Sequence, residues 1–396
     1  MVNKVHVTYT YQNKKSEKTK IWTTLPLNDS ETVSNSPVMD SYEDQGGNRI
    51  NYLELNSDEK LEVMYSISLD SKRDNIKLSV TEREYYLRSG ELVQINEGVK
   101  SLANEVTKKA NTAKEKAEAI FHYIVDNFTY VYPPKSRGVD SFLESKQGDC
   151  GEFSFLFTAL CRSLDIPSRV IVGTWSNGKM NAHVWNEFYI EDIGWIPVDC
   201  SVAYLQKKKK FHFLFSNFKT LKWDKYFGDI EYQRVIFSYD AELELLPIYR
   251  DESDDKLEGA SFKPLSPFLI NKEPFYWGFQ SIDNRVPYMQ PIYPKFSSEM
   301  LESSPKKDGT IYLGRWKVVE TGAQRFFYVL KHISLLTFII FFALSLLLEN
   351  PIFRVILGVS TVFTCISYIA RGERKIFFGI AGVYFLLFLA SNIAKL

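Results

Sequence analysis

One stretch of the chain, residues 148–199, constrains the fold most, because its hydrophobic period changes part-way along. After Cys150, apolar residues recur at spacings of three and four, which puts them on one face of a helix. Asp149 is a preferred N-cap residue and Pro167 stops a helix, so we predict a helix from Cys150 to about Ile166. The apolar positions are Phe153, Leu156, Phe157, Leu160, Cys161 and Leu164.

Three short β-branched or alternating segments follow this helix, and we predict that they form antiparallel strands. A three-residue turn at 191–193 would join the last two as a hairpin. In that register His183 lies opposite Ser201 and diagonal to Asp199, and diagonal Cβ atoms are roughly 7 Å apart. We therefore expect the His183 and Asp199 side chains to meet. The segments are residues 168–173, 183–190 and 194–201.

Cys150, His183 and Asp199 together have the chemistry of a thiol nucleophile, its base and the group that orients the base. A cysteine in the first turn of a helix is favoured as a thiolate by the helix dipole, although Asp149 opposes this with its negative charge. His183 is the expected cationic partner. We predict that Cys200 points to the opposite face of its strand and is inert.

Two other interpretations of these residues have to be weighed. A single cysteine is most often a small buried apolar residue, and a single histidine is most often a structural hydrogen-bonding group. A zinc site is disfavoured because the chain has no CxxC pair, and Cys150, His183 and Asp199 have no fourth ligand at a convincing spacing. We predict neither a metal nor a cofactor.

Four sequence blocks, in this order, resemble the core of the transglutaminase-like superfamily. The resemblance implies an α+β, papain-like fold with Cys150 as nucleophile, His183 as base and acid, and Asp199 as orienting group. The blocks are Gly148-Asp149-Cys150, Ser163-Leu164-Asp165-Ile166-Pro167-Ser168-Arg169, His183-Val184-Trp185-Asn186-Glu187 and Gly194-Trp195-Ile196-Pro197-Val198-Asp199.

This resemblance implies thiol-dependent acyl transfer from, or hydrolysis of, a protein or peptide amide through a thioester. The acceptor stays open: an amine would give a cross-link, and water would give deamidation or proteolysis. The alternative from another class is a non-catalytic, membrane-anchored scaffold or binding protein that uses the same fold.

The rest of the chain divides by composition into three further parts. Residues 1–90 alternate over several short segments and predict an antiparallel β domain ahead of a core at 91–250. Residues 251–325 are rich in proline and aromatic residues, and we expect them to wrap the core or lie near a membrane surface. Within this part, residues 310–319 are a candidate last strand.

The final part, residues 326–396, contains three apolar runs without a charged residue, at 333–348, 355–370 and 376–390. Each approaches the length of about 20 residues that a transmembrane helix needs, so we predict a multi-pass protein of a bacterial cell membrane that contacts lipid through these helices. The clustered charges of Arg371, Arg374 and Lys375 predict that the soluble part faces the cytoplasm.

Composition agrees with this division and narrows the partners. A length of 396 residues allows two or three domains. Lys and Arg number 48, as do Asp and Glu, so bulk charge gives no reason to expect a nucleic-acid partner. The four cysteines do not form a disulfide framework, which suits a reducing compartment. Residues 1–15 also lack the apolar stretch of a secretory signal peptide.

Overall fold

The computed structural model describes residues 4–14, 16–25, 33–69, 77–209, 220–231, 233–249, 268–295, 314–348, 350–371 and 382. The fold mixes helices and sheets, with a core of both between antiparallel β structure and two apolar C-terminal helices. The first part consists of the strands β1 (Lys4–Gln12), β2 (Thr19–Leu25), β3 (Val33–Ser34), β4 (Asp40–Glu43), β5 (Arg49–Leu55) and β6 (Lys60–Ser68).

The middle part carries the helices and strands around Cys150. Its elements are α1 (Val80–Tyr85), α2 (Glu97–Thr107), α3 (Ala113–Asn127), β7 (Thr129–Tyr130), α4 (Val139–Ser145), β8 (Gln147–Gly148), α5 (Cys150–Arg162), β9 (Ser168–Trp175), β10 (His183–Ile190), β11 (Gly194–Val198), α6 (Cys200–Lys208), a 3₁₀ turn (Trp223–Tyr226), β12 (Arg234–Tyr239) and β13 (Leu243–Glu244).

The last part adds short strands and two long helices. Its elements are β14 (Phe268–Ile270), β15 (Glu273–Phe275), β16 (Arg285–Val286), β17 (Ile292–Pro294), β18 (Arg315–Glu320), α7 (Gly322–Leu347) and α8 (Pro351–Ala370).

The N-terminal strands build two antiparallel sheets that later strands complete. One sheet has the order β18-β1-β6-β3 and the other has the order β17-β2-β5-β4. The alternation in β1 buries Val5, Val7, Tyr9 and Tyr11 in a core between the sheets. Strands β17 and β18 come from the proline- and aromatic-rich part and pair with β2 and β1, so the described residues of this part complete the two N-terminal sheets.

Helix α5 lies at the centre of the middle part, and Gly151–Arg162 is buried along its whole length. Our prediction of a single buried face was too narrow, because α5 packs against four helices as well as against β9 and β10. The helix also ends at Arg162, earlier than expected. The chain then turns through Asp165, whose φ of 60° is left-handed.

The hairpin register is confirmed, since Ile190 pairs with Gly194 and Asn186 with Val198. Our prediction that the strand runs on to residue 201 was wrong. The strand ends at Val198, and Asp199 caps α6 by accepting the backbone N–H of Val202 at 2.8 Å. An aspartate ahead of a helix-forming run satisfies an otherwise unpaired N–H, so the helix replaces the extended strand.

The core sheet has the order β11-β10-β9-β12, and a close approach between β9 and β12 depends on a glycine. Gly173 lies directly opposite His183 in the sheet. A Cβ at this position would lie 2.1 Å from the carbonyl oxygen of Val235 and 2.5 Å from the Trp185 ring. The missing side chain therefore lets three strands and an indole pack beside His183.

Helices α7 and α8 form an antiparallel pair, with Ser334 and Thr364 hydrogen bonded between them at 2.8 Å. Both are long and apolar enough to cross a membrane. Many of their apolar side chains are exposed: Ile339 is 63% exposed and Val355 is 62% exposed. A core helix of a soluble domain would bury such residues, so association with a membrane is suggested. The third predicted run, 376–390, lies outside the described residues apart from Gly382.

Only Thr321 separates β18 from α7, and this junction is tied to the core sheet. The Glu320 carboxylate accepts a hydrogen bond from Arg371 at the end of α8. Its other oxygen accepts hydrogen bonds from Ser176, just after β9, and from Gln233, just before β12. The helix pair and the core sheet therefore share one buried carboxylate.

Candidate active site

Cys150 is the first residue of α5, and a capping box fixes its backbone. Asp149 accepts the N–H of Gly151 at 2.7 Å, and the Glu152 carboxylate accepts the N–H of Asp149 at 3.1 Å. Cys150 is partly exposed as a residue, but its sulfur is buried and accepts the backbone N–H of Val184. The sulfur therefore lies against the start of β10, next to His183.

The His183 ring is buried, and its Nε2 lies 2.7 Å from Asp199 Oδ2. The ring stacks on Trp175, with 4.4 Å between ring centroids and 26° between planes, while Trp185 lies on the same strand two residues away. The predicted contact between His183 and Asp199 is therefore present. Because Nε2 faces a carboxylate, it carries the proton in the neutral ring, and Nδ1 keeps its lone pair.

Asp199 is held by four hydrogen bonds, two on each oxygen. Oδ1 accepts from Ser201 Oγ at 2.9 Å and from the Val202 N–H at 2.8 Å. Oδ2 accepts from His183 and from Arg234 Nη1, the latter at 2.6 Å. Burial opposes ionisation, but His183 and Arg234 outweigh it and hold the pKa of Asp199 well below its ordinary value.

Arg234 and Glu231 belong to this site, and our sequence analysis missed them. Arg234 begins β12 and is buried, with its Nε 2.6 Å from Glu231 Oε2. Glu231 also accepts a hydrogen bond from the Tyr226 hydroxyl. A charged residue at the head of an otherwise apolar strand was the available signal, since buried arginines are seldom unpaired.

The Cys150 thiol is not the preformed thiolate that the helix position predicts. Burial raises its pKa well above the ordinary value, and the charge of Asp149 raises it further. The Val184 N–H and the Arg137 guanidinium lower it, but by less. Desolvation and the charge of Asp149 therefore act against the thiolate that the helix position favours.

A second ionic cluster lies beneath Cys150. Arg137 bonds Asp149 at 3.2 Å and Glu152 at 3.2 Å, and all three side chains are largely buried. Burial raises the pKa of Glu152 to about 8, although Arg137 acts to lower it. This cluster places a guanidinium close to the first turn of α5 and partly offsets the charge of Asp149.

The described part of residues 251–325 reaches this cluster from outside. The backbone N–H of Arg137 donates to the carbonyl oxygen of Leu269 at 2.7 Å, and Leu269 lies in β14 of the β14–β15 hairpin. Burial raises the pKa of Tyr288, which interacts electrostatically with Arg137 and Cys150. Among the described residues, no group of three or more His, Cys, Asp or Glu side chains is arranged to hold a metal ion.

The raised pKa of the thiol gives a direct prediction for Asp149→Asn. The amide keeps the cap but removes the negative charge, so the pKa of Cys150 falls and alkylation of Cys150 by iodoacetamide at pH 7 becomes about tenfold faster. Peptide mapping after limited labelling measures this rate. Asp126→Asn, an exposed carboxylate on α3, is the control and leaves the rate unchanged; an equal rate in Asp149→Asn contradicts the argument.

Comparison with known proteins identifies the fold of this site. Residues 100–200 match the family model described as the transglutaminase-like superfamily. The match includes Cys150, His183 and Asp199 and ends one residue beyond Asp199. Residues 100–200 are therefore transglutaminase-like. Members of this superfamily include thiol-based enzymes, and the core of this chain has the fold of such a family.

Three relatives are similar to part of this chain at the sequence level. They are the uncharacterized protein YebA of Bacillus subtilis (strain 168), 35% identical over 126 residues (26% of this chain, 17% of YebA); an uncharacterized Haemophilus influenzae protein, 27% identical over 153 residues (32% and 41%); and a Drosophila melanogaster peptide-N(4)-(N-acetyl-beta-glucosaminyl)asparagine amidase, 38% identical over 64 residues (16% and 9%). The chain thus spans less than half the length of each.

Two solved structures are similar to part of this chain at low identity. A Cytophaga hutchinsonii protein described as a cysteine protease is 21% identical, with a TM-score of 0.39 over 51% of this chain and 76% of that one. The periplasmic domain of TgpA from Pseudomonas aeruginosa is 15% identical, with a TM-score of 0.37 over 53% and 90%.

Proposed function

We propose that the protein is a membrane-anchored thiol enzyme that transfers or hydrolyses the acyl group of a protein or peptide amide. Cys150 is the nucleophile, His183 the base and acid, and Asp199 the orienting group. The observation that carries this proposal is the buried 2.7 Å contact between His183 and Asp199, next to the backbone N–H that binds the Cys150 sulfur. The buried imidazole–carboxylate contact, with the Cys150 sulfur beside the start of β10, supports this assignment.

The reaction begins with a neutral thiol and a neutral imidazole. His183 Nδ1 takes the thiol proton as the Cys150 sulfur attacks the carbonyl carbon, and a C–S bond forms. The tetrahedral intermediate then breaks its C–N bond, and His183 returns the proton to the leaving amine. This leaves a thioester on Cys150. Water or a second amine attacks the thioester by the reverse sequence and frees the thiol.

The tetrahedral intermediate places negative charge on the former carbonyl oxygen. The N–H of Cys150 is the first of the helix donors that have no partner within a helix, so it is placed to donate to that oxygen. The positive end of α5 adds to this stabilisation. Residue 150 then supplies both the attacking sulfur and a donor for the charge that the attack creates.

Intact mass spectrometry of the protein with a glutamine-bearing peptide tests this function. We expect a mass increase equal to the acyl group, lost with time in water and moved to a primary amine when one is present. If the amine changes nothing, hydrolysis is the reaction. No adduct, together with no preferential alkylation of Cys150, would leave the non-catalytic scaffold as the better interpretation.

We also propose that α7, α8 and the run at 376–390 cross a membrane and that the domain faces the cytoplasm. Support comes from the exposed apolar side chains of α7 and α8, and from Gln324 and Arg371, which bring the start of α7 and the end of α8 together. Arg371, the basic residue that follows α8, therefore lies on the side of the domain, where the positive-inside rule puts the cytoplasm.

Protease treatment of sealed vesicles checks this orientation. In inverted vesicles, whose cytoplasmic face is outside, we expect the domain to be digested, and in right-side-out vesicles we expect it to survive. Detergent-opened vesicles are the control, since both preparations should then be digested. Digestion in intact right-side-out vesicles alone contradicts the proposed orientation.

A further inference from the structure

We propose that Arg234 and Glu231 are positioning residues that set the orientation of Asp199 and the charge around His183 through a buried pair of opposite charges. This inference rests on the proposed function, because it assumes that His183 exchanges a proton with Cys150. It goes beyond the triad by giving a role to two residues that do not touch the thiol.

The first step is the contact of Arg234 with Asp199. Arg234 Nη1 binds Oδ2, the same oxygen that accepts His183 Nε2. The guanidinium and the imidazole are therefore separated by a single shared oxygen atom. At such a separation, within roughly 4–6 Å, one charge shifts the titration of another group by about one to three pH units.

The second step is the rigidity of the pair. Glu231 holds Arg234 Nε, and the Tyr226 hydroxyl holds Glu231. The backbone carbonyl of Tyr226 in turn accepts the N–H of Asp199 at 2.9 Å. Tyr226, Glu231, Arg234 and Asp199 thus form a closed ring of hydrogen bonds, and a buried ring of this kind holds a carboxylate in one orientation.

The aromatic surroundings of Arg234 also favour a fixed guanidinium. Its Cζ lies 5.2 Å from the centroid of the Trp175 ring and 5.1 Å from that of Trp185. These two indoles lie beside His183 as well. The aromatic walls that orient the imidazole therefore also confine the guanidinium.

The third step is the charge balance. With His183 neutral, Asp199, Arg234 and Glu231 carry a net charge of minus one, which an imidazolium neutralises. Arg234 without Glu231 would cancel Asp199 and leave little to stabilise the imidazolium. The two residues therefore act in opposite directions, and together they leave His183 facing one uncompensated negative charge.

Other ionisable groups face the thiol side of the site. Asp149, Glu152 and Arg137 lie at the start of α5 and in the loop before α4, and they act on Cys150. Tyr130 and Tyr288 interact electrostatically with the same thiol. Because these groups are identical in every variant described below, they do not alter the sign of the expected shifts.

The experiment measures the rate of Cys150 alkylation in the full-length protein in detergent between pH 4 and pH 9. Reactivity requires His183 to accept the thiol proton, so it falls on the acid side as His183 becomes protonated. Arg234→Gln removes a positive charge, so the surroundings of His183 become more negative. This favours the imidazolium and moves the acid limb up by about one pH unit. In Glu231→Gln, it moves down by about one unit.

Two further variants separate a positioning role from a general loss of stability. Arg234→Lys keeps the charge, so the acid limb returns toward that of the unaltered protein, while turnover stays low because one ammonium cannot replace the two-sided fork. Arg88→Gln breaks a buried bond to Asp240 elsewhere in the core. It lowers the unfolding midpoint but leaves the acid limb in place.

The outcomes distinguish this inference from the function on which it rests. If Cys150 in the unaltered protein is not labelled ahead of Cys161 and Cys200, the proposed function fails and this inference falls with it. If Cys150 is labelled first but the acid limb stays in place, or moves in the same direction in Arg234→Gln and Glu231→Gln, only the positioning role is overturned.

Discussion

Replacing Cys150 with serine is expected to abolish thioester formation, with a loss of turnover on the order of 10⁴-fold or more. An alcohol is far less acidic than a thiol, and the site already raises the pKa of the group at this position. His183 would have to remove a proton from a hydroxyl group, which is a much weaker acid than the imidazolium ion that would form. The fold should survive, because one atom changes while the capping box of Asp149 and Glu152 stays.

Cys161→Ser is the matched control for this variant. Cys161 lies on the same helix, is fully buried and packs in the main core. Its serine variant places a hydroxyl among apolar side chains, so it should lower the free energy of unfolding by about 1–3 kcal/mol while leaving turnover unchanged. Thermal unfolding and intact mass after peptide incubation measure the two effects. Full turnover in Cys150→Ser would remove Cys150 from the mechanism.

Replacing Asp199 with asparagine has the second largest expected effect, a loss of turnover of about 10³–10⁴-fold. Both oxygens of this carboxylate act only as acceptors, each of two hydrogen bonds, and an amide NH₂ group cannot replace either of them as an acceptor. In one orientation the new amide NH₂ group faces the N–H of Val202, and in the other it faces Arg234 and His183. The second orientation moves the imidazole proton to Nδ1. A protonated Nδ1 can no longer accept the proton of the thiol.

The pH dependence of stability offers a readout that does not need a substrate. Because the pKa of Asp199 is lowered on folding, its ionisation stabilises the fold above the ordinary aspartate range, and that contribution is lost as the pH falls through and below about 4. The asparagine variant lacks this contribution. Its free energy of unfolding should therefore change less between pH 5 and pH 3, and an equal slope in both proteins contradicts the charge assignment.

The parts of this site that the sequence predicts are those set by local chemistry. Asp149 is a strong N-cap and the residues after Cys150 have one helical period, so the start of α5 follows from the sequence. The three-residue turn fixes the hairpin register, because pairing is counted from the turn. That register brings His183 to Asp199.

Features set by long-range contacts could not be predicted in this way. Arg234 reaches Asp199 only because β12 returns to pair with β9, and nothing near residue 234 specifies that neighbour. The raised pKa of the thiol depends on how deeply Cys150 is buried, which packing decides. Helix α6 was missed because Asp199 suits both the end of a strand and a helix cap, and its neighbours do not decide between them.

The junction at Thr321 has a consequence for which amide bonds could reach Cys150. One residue extends at most about 3.5 Å, so β18 cannot move far from α7. Glu320 also ties the end of α8 to Ser176 and Gln233, which flank the core-sheet strands β9 and β12. If α7 and α8 cross a bilayer, as proposed, the active site stands at a constant height above the lipid. The anchor would then limit the substrates to amides that lie at that distance from the membrane surface.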